Sequence, residues 1–232
     1  MEIKFIGTGG AFDYEYLNSS ALLTMEGRTL LIDCGHAIYP ALRKANKANE
    51  VTHLLVTHTH DDHVGSLSVL ILHHHYFAPK KLTLLYQDED FLNTLKSFFS
   101  HTLGDISEYV ELQPLSEVDG ITAIETTKHH VDYLRTFAFI FEENGQRIAY
   151  SGDLGDASIL FEVLDKLPEK DTTVFHDIFF EKNISTHTYY KQLEKYLNRY
   201  AIFGYHCDPR KNPQDNPIPL VQNEPEFLLR GT

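Results

Sequence analysis

His58, His60, Asp62 and His63 place three imidazoles and a carboxylate within six residues of one another. Neutral imidazole and carboxylate are the ligands of zinc and of neighbouring divalent metals. Side chains two positions apart on an extended segment point the same way, so His58 and His60 can share one ion. Asp62 and His63 lie past the turn and can face a second. Further groups of the same chemistry recur later, each directly after a predicted strand. They are Lys128-His129-His130, Ser151-Gly152-Asp153 with Asp156, and Tyr205-His206-Cys207. The chain carries 14 His with no terminal run of them, so position and not mere abundance decides what they do.

Loops held by a rigid scaffold are where such groups usually sit, and the sequence predicts that scaffold. Short apolar runs predict strands over Glu2–Gly7, Ser20–Met25, Thr29–Asp33, Thr52–Val56, Leu82–Tyr86, Ile121–Thr126, Thr136–Phe141, Arg147–Ser151, Thr173–Phe175 and Ala201–Phe203. Helical spacing predicts helices over Ile38–Lys47, through Leu67–Leu72 with Asp62 as its cap, over Asp88–Ser100, Asp156–Leu167 and Thr188–Tyr200. Glu142-Glu143-Asn144-Gly145 reads as a hairpin turn, so the sheet is mixed. Strands alternating with helices predict an α/β architecture with helices outside. After Cys207 come five prolines, at 209, 213, 217, 219 and 225. One domain over residues 1–232 is expected, with an irregular Pro-rich tail from about 208.

In this order the motifs resemble the metallo-β-lactamase-fold hydrolases. The resemblance runs from Ile3-Lys4-Phe5-Ile6-Gly7-Thr8-Gly9 through Leu31-Ile32-Asp33-Cys34-Gly35 to His206. It implies a four-layer αββα sandwich and two divalent metal ions, zinc first, with manganese or iron as alternatives. It implies that His58, His60 and His130 hold one ion, that Asp62, His63 and His206 hold the other, and that Asp153 bridges them. Asp33 would steady the site from behind. Of the adjacent pair His129 and His130, motif alignment favours His130 as ligand, which leaves His129 to support the site or face the substrate. Two ions about 3.5–4 Å apart share a water and lower its pKa, and the resulting hydroxide would be the nucleophile. The resemblance gives Asp62 a second role, orienting that water. Members of the fold are often dimers, so a homodimer is a further expectation.

The Gly7-Thr8-Gly9-Gly10 and Ser151-Gly152-Asp153 segments most resemble the ribonuclease Z and phosphodiesterase branch. There Asp177 and His187 match two positions that protonate the leaving oxygen. A His beside a carboxylate is a sensible general acid near neutral pH. The tRNA-processing enzymes usually carry a long arm between the third-motif His and the bridging Asp. Here residues 131–152 barely suffice for a hairpin. The formal charge of −13 also argues against general attraction to nucleic acid or anionic membrane. The favoured expectation is a metal-dependent phosphodiesterase acting on a small phosphodiester. Processing of an RNA 3′ end, as by a ribonuclease Z without its arm, and hydrolysis of a lactone or amide are the alternatives within the fold. A non-catalytic metal-binding module is the alternative outside enzymes.

The remaining features read more plainly. No stretch approaches the ~18 apolar residues of a membrane span. The start has no basic or long apolar segment, which predicts a cytoplasmic protein. Two cysteines, Cys34 and Cys207, are too few for a disulfide framework. His73-His74-His75 reads as surface, since three consecutive helical residues cannot share a face. Tyr133 and Tyr205 are candidates to line the pocket.

Overall fold

The computed structural model describes residues 1–229 apart from Pro79 and Asn183. A first sheet is built from β1 (Glu2–Gly7), β2 (Ser20–Met25), β3 (Arg28–Ile32), β4 (His53–Leu55), β5 (Leu82–Tyr86) and β6 (Val110–Pro114), side by side in that order. The first three strands pair antiparallel, and the rest add on parallel. The second sheet runs β11 (Ala201–Tyr205), β10 (Asp171–Asp177), β9 (Gln146–Tyr150), β8 (Phe137–Glu143), β7 (Ile121–Glu125). It too joins an antiparallel part, β7–β8–β9, to a parallel one, β9–β10–β11. Helices α1 (Ile38–Lys44), α2 (Asp61–Val64), α3 (Leu67–Phe77) and α4 (Glu89–Leu103) belong to the first half, and α5 (Ser158–Leu164) to the second.

Alternation along the second sheet shows how the layers close. Phe139, Phe141, Ile148, Tyr150 and Phe175 join the core shared with the first sheet. Their neighbours Ile140, Ala149 and Val174 join a separate core under α5. Period-two side-chain direction makes one strand serve both. Phe5 of β1 brings the sheets together, with ring centres 6.0 Å from Tyr150, 5.1 Å from Phe175 and 5.5 Å from Tyr205. This is the αββα sandwich of mixed sheets.

The structure departs from the sequence reading in several places. β6 went unpredicted, because Val110-Glu111-Leu112-Gln113-Pro114 ends in a proline that only an edge strand tolerates. The predicted helix after Asp62 is two helices. Asp62 lies inside α2 and does not cap it. The break at Gly65–Ser66 is fixed by close approach: a side chain at Gly65 would meet the Asp61 carbonyl at 2.5 Å. Residues 188–200 form no α-helix, only single turns at Tyr190–Gln192 and Glu194–Tyr196. Asp88 does cap α4, accepting from the Phe91 N–H at 2.9 Å.

His73 and His74 are buried, contrary to the surface reading. His73 Nε2 meets the Asn49 amide at 2.7 Å, and His74 Nε2 donates to the Ala48 carbonyl at 2.7 Å. Both are structural partners of the turn before β4. The Pro-rich tail is irregular and lies across the sandwich, with Phe227 packed on Phe175 and Phe203 at 5.0 and 4.8 Å. Among the described residues no helix is long and apolar enough to cross a membrane.

Candidate metal centre

Asp33, one residue beyond β3, organises the box that follows β4. Its carboxylate is buried and accepts from the Thr57 N–H (2.8 Å), the Thr57 hydroxyl (2.7 Å) and His63 Nδ1 (2.8 Å). One side chain thus holds both the entry and the exit of the box. Its backbone pays with a left-handed φ of 62°. Burial pushes the Asp33 pKa up, against the lowering pull of His63.

Two ligand clusters result. In the first, His58 Nε2 and His130 Nε2 lie 3.0 and 3.2 Å from His60 Nδ1. Asp153 Oδ2 stands 3.9 and 3.7 Å from His58 and His130. In the second, His63 Nε2 lies 3.4 Å from Asp62 Oδ2 and 3.4 Å from Asp153 Oδ1, and His206 Nδ1 lies 3.4 Å from the same Asp153 oxygen. Asp153 therefore turns one oxygen to each cluster. His130 reaches the first cluster because its Nδ1 donates to the Thr186 carbonyl at 2.8 Å, which leaves Nε2 with a free lone pair. Such a partner fixes the tautomer a metal ligand needs.

The donors fit divalent cations. Tetrahedral coordination with bonds of about 2.0–2.2 Å keeps ligand atoms roughly 3.4 Å apart, the spacing of the second cluster. His63 Nε2, Asp153 Oδ1 and His206 Nδ1 are moreover buried without any hydrogen-bond partner among the described residues. Three orphaned polar atoms converging on one point would be costly unless a cation meets them. The field there favours positive charge. Burial opposes protonation of His63, yet the carboxylates of Asp153 and Asp33 hold its pKa well above the usual imidazole range.

Beside the clusters stands a hydrogen-bonded His–Asp pair. His187 Nδ1 donates to Asp177 Oδ2 at 2.7 Å, so its unbound nitrogen is Nε2. Burial lowers the His187 pKa, but Asp177 outweighs it, and the imidazole is pushed up to about 9. Asp177 is itself pinned at the end of β10. Its carboxylate accepts from the Leu154 N–H at 3.1 Å, and its own N–H donates to Ser151 Oγ at 2.8 Å. The Asp153 turn and the Asp177 strand end are therefore one hydrogen-bonded piece. A cavity of about 620 Å³ is lined by His60, Asp62, His130, Asp153, His187 and His206 together.

The match of this chain to known proteins covers nearly its whole length. The profile of the family described as anti-Pycsar protein Apyc1 matches residues 1–223. The chain belongs to the Apyc1 family. A relative so named from Bacillus phage BSP38 is 31% identical over 201 residues, 77% of each chain. Among solved structures, the metallo-β-lactamase fold protein YhfI from Bacillus subtilis superposes with a TM-score of 0.66 at 16% identity, over 88% of this chain and 85% of that one. The short form of human tRNase Z superposes with a TM-score of 0.67 at 19% identity, over 91% and 95%. These two likenesses establish the metallo-β-lactamase fold.

In this Apyc1-family chain, His129 stands outside both clusters. Half-buried near Asp156, it contributes its carbonyl, which accepts the Gly155 N–H at 2.5 Å. Tyr205 does not line the cavity. It is buried, stacked on Tyr150 at 4.9 Å, and its hydroxyl donates to the Gly152 carbonyl. Tyr133 is exposed and meets His60 Nε2 with its hydroxyl at 3.1 Å. Sequence reasoning gave no role to Thr57, Thr186 or the Ser151 hydroxyl, whose contributions are hydroxyl and backbone contacts that no motif marks. It also missed Phe12 and Phe179, which line the cavity. Cys207 is buried and contacts Gln222 at 3.9 Å.

Proposed function

We propose that this chain is a binuclear metal-dependent phosphodiesterase acting on a small phosphodiester, with a cyclic mononucleotide as the favoured substrate. The observation that carries this reading is the Asp177-held His187 on the same cavity as both ligand clusters. A phosphodiester with an alkoxide leaving group needs a proton delivered to that oxygen. The cavity of about 620 Å³ suits a ligand of nucleotide size. Between His130 and Asp153 the chain spends itself on the β8–β9 hairpin, which leaves no arm there to grip a tRNA.

His58, His60 and His130 would hold one ion, Asp62, His63 and His206 the other, and Asp153 both. The ions, when bound, would supply an activated water and polarise the phosphoryl oxygens. The chain's own groups do the rest. Burial would raise the Asp62 pKa, but His63 outweighs it and keeps the carboxylate ionised, ready to accept a hydrogen bond from the attacking water. His187, protonated through Asp177, donates its Nε2 proton to the departing oxygen. Asp177 then stabilises the neutral ring in position for reprotonation.

The test compares leaving groups on metal-loaded protein. Wild type should hydrolyse both a cyclic mononucleotide and bis-p-nitrophenyl phosphate. His187→Ala should lose about 100-fold or more on the cyclic nucleotide and far less on the nitrophenyl ester, whose leaving group needs no proton. Two metals per chain with turnover of a lactone or of a tRNA precursor, and none of either phosphodiester, would overturn the proposal.

A further inference from the structure

Phe12 is the most exposed large hydrophobic side chain among the described residues, at 92%. It stands on the rim of the metal-centre cavity. A side chain so placed gains nothing from burial within this chain. The backbone beneath it is nevertheless tightly held. Thr8 and Gly9 donate N–H bonds across the loop to the Tyr16 and Leu17 carbonyls, both at 2.9 Å. Asp13 Oδ1 accepts from the N–H groups of Glu15 and Tyr16 at 2.9 and 3.0 Å. Arg210, from the segment after His206, reaches Glu15 at 3.0 Å and Asp13 at 3.6 Å. At Gly10 the backbone lies against the ligand ring itself: a Cβ there would sit 3.5 Å from His206 Nε2. An apolar ring is thus presented to solvent from an anchored loop, two residues from a ligand-contacting backbone.

We propose that Phe12 is the stacking platform for the nucleobase of a nucleotide held in this cavity, an inference that rests on the phosphodiesterase reading above. A flat aromatic ring gains from offset stacking on another, and aromatic platforms for bases tolerate any base because each has a π-face. The cavity is graded to match. Its floor carries the ligand clusters, which suit a phosphate. Val131, Phe179 and Ile184 add apolar lining. Lys211 also lines it, with Asp208 as a charged neighbour, and its ammonium can meet an anionic ligand. The chain's overall charge of −13 makes that local cation the more useful.

Binding to metal-loaded protein tests the platform separately from turnover. Adenosine 5′-monophosphate and ribose 5-phosphate share a phosphate and a sugar, and only the first has a base. By calorimetry the nucleotide should bind about tenfold more tightly. Phe12→Ala should remove that margin and leave ribose 5-phosphate unchanged, and Phe12→Tyr should retain it. A margin that survives Phe12→Ala overturns the proposal, as does equal weakening of both ligands. So does a fall in molar mass of Phe12→Ala by light scattering, which would put the ring beneath a second chain. Hydrolysis of cyclic adenosine monophosphate by the same samples separates the two readings. A base margin without turnover keeps the platform and removes the phosphodiesterase. Turnover without a margin does the reverse.

Discussion

The two ligand clusters share Asp153 but differ in charge and in what lies behind them. The His58, His60 and His130 cluster contributes only imidazoles of its own, and His60 is partly open, with Tyr133 as its outer neighbour. The Asp62, His63 and His206 cluster adds a carboxylate of its own, and its His63 Nε2 and His206 Nδ1 converge with the shared Asp153 Oδ1 as buried atoms without a hydrogen-bond partner among the described residues. It is also the cluster that Asp33 braces through His63. One more unit of negative charge beside a divalent ion counts for several kcal/mol even in a screened site, at about 4 Å. The difference teaches that two sites built from the same residue types need not fill together. The second should fill first, with affinity greater by on the order of 100-fold.

The largest effect should come from removing what the clusters share. Asp153→Ala should take metal content from about two ions per chain to below one and abolish turnover, read by elemental analysis and assay together. Equal loss from His130→Ala would deny Asp153 its bridging place. Next come the two single-cluster variants. His206→Ala should abolish the tighter phase of a zinc titration followed by competition with a chelating dye, and His130→Ala only the weaker phase. If both variants lose the same phase, the clusters are one site.

Asp33→Asn should act chiefly through His63, because an amide oxygen can still accept from the Thr57 N–H. Loss of such a supporting partner costs about 10–100-fold in metal affinity, and here it should fall on the tighter phase. An equal drop in both phases would mean that Asp33 serves the Thr57 backbone more than His63.

The smallest expected effect concerns His187 in metal-stripped protein. Its folded pKa of about 9 lies above the unfolded value near 6.5. The stabilisation it brings is therefore full below about pH 6.5 and fades as pH rises through about 9. Asp177→Asn should move the imidazole titration, followed by NMR, down toward or below its ordinary value and flatten that part of the stability curve. An unmoved titration would assign the shift to another carboxylate.

The contrast also runs through what could be read in advance. The first four candidate ligands sit within six residues, His58 and His60 in the loop after the parallel strand β4 and Asp62 and His63 in the short helix α2, so spacing alone revealed them. His130, Asp153 and His206 come from three separate strand ends of the second sheet, and each by itself is an ordinary loop residue. Only their order, through family resemblance, singled them out. The helix expected over Thr188–Tyr200 is replaced by single turns at Tyr190–Gln192 and Glu194–Tyr196, and at its start Thr188 donates its hydroxyl to the Leu154 carbonyl and its N–H to Asp177.

By itself the sequence determined the layered α/β plan, since alternating apolar runs and helical periods can bury their faces in few ways. It also determined the chemistry of the box, because imidazole and carboxylate at that spacing serve few ends but a metal. Tertiary structure decided the rest. Whether His129 or His130 turns inward depends on a carbonyl of Thr186, distant in sequence. That Tyr205 lies beneath the site and Phe12 above it depends on packing between the two sheets and on a loop tied down by Arg210. Contacts of that kind join residues remote along the chain, and no local pattern encodes them.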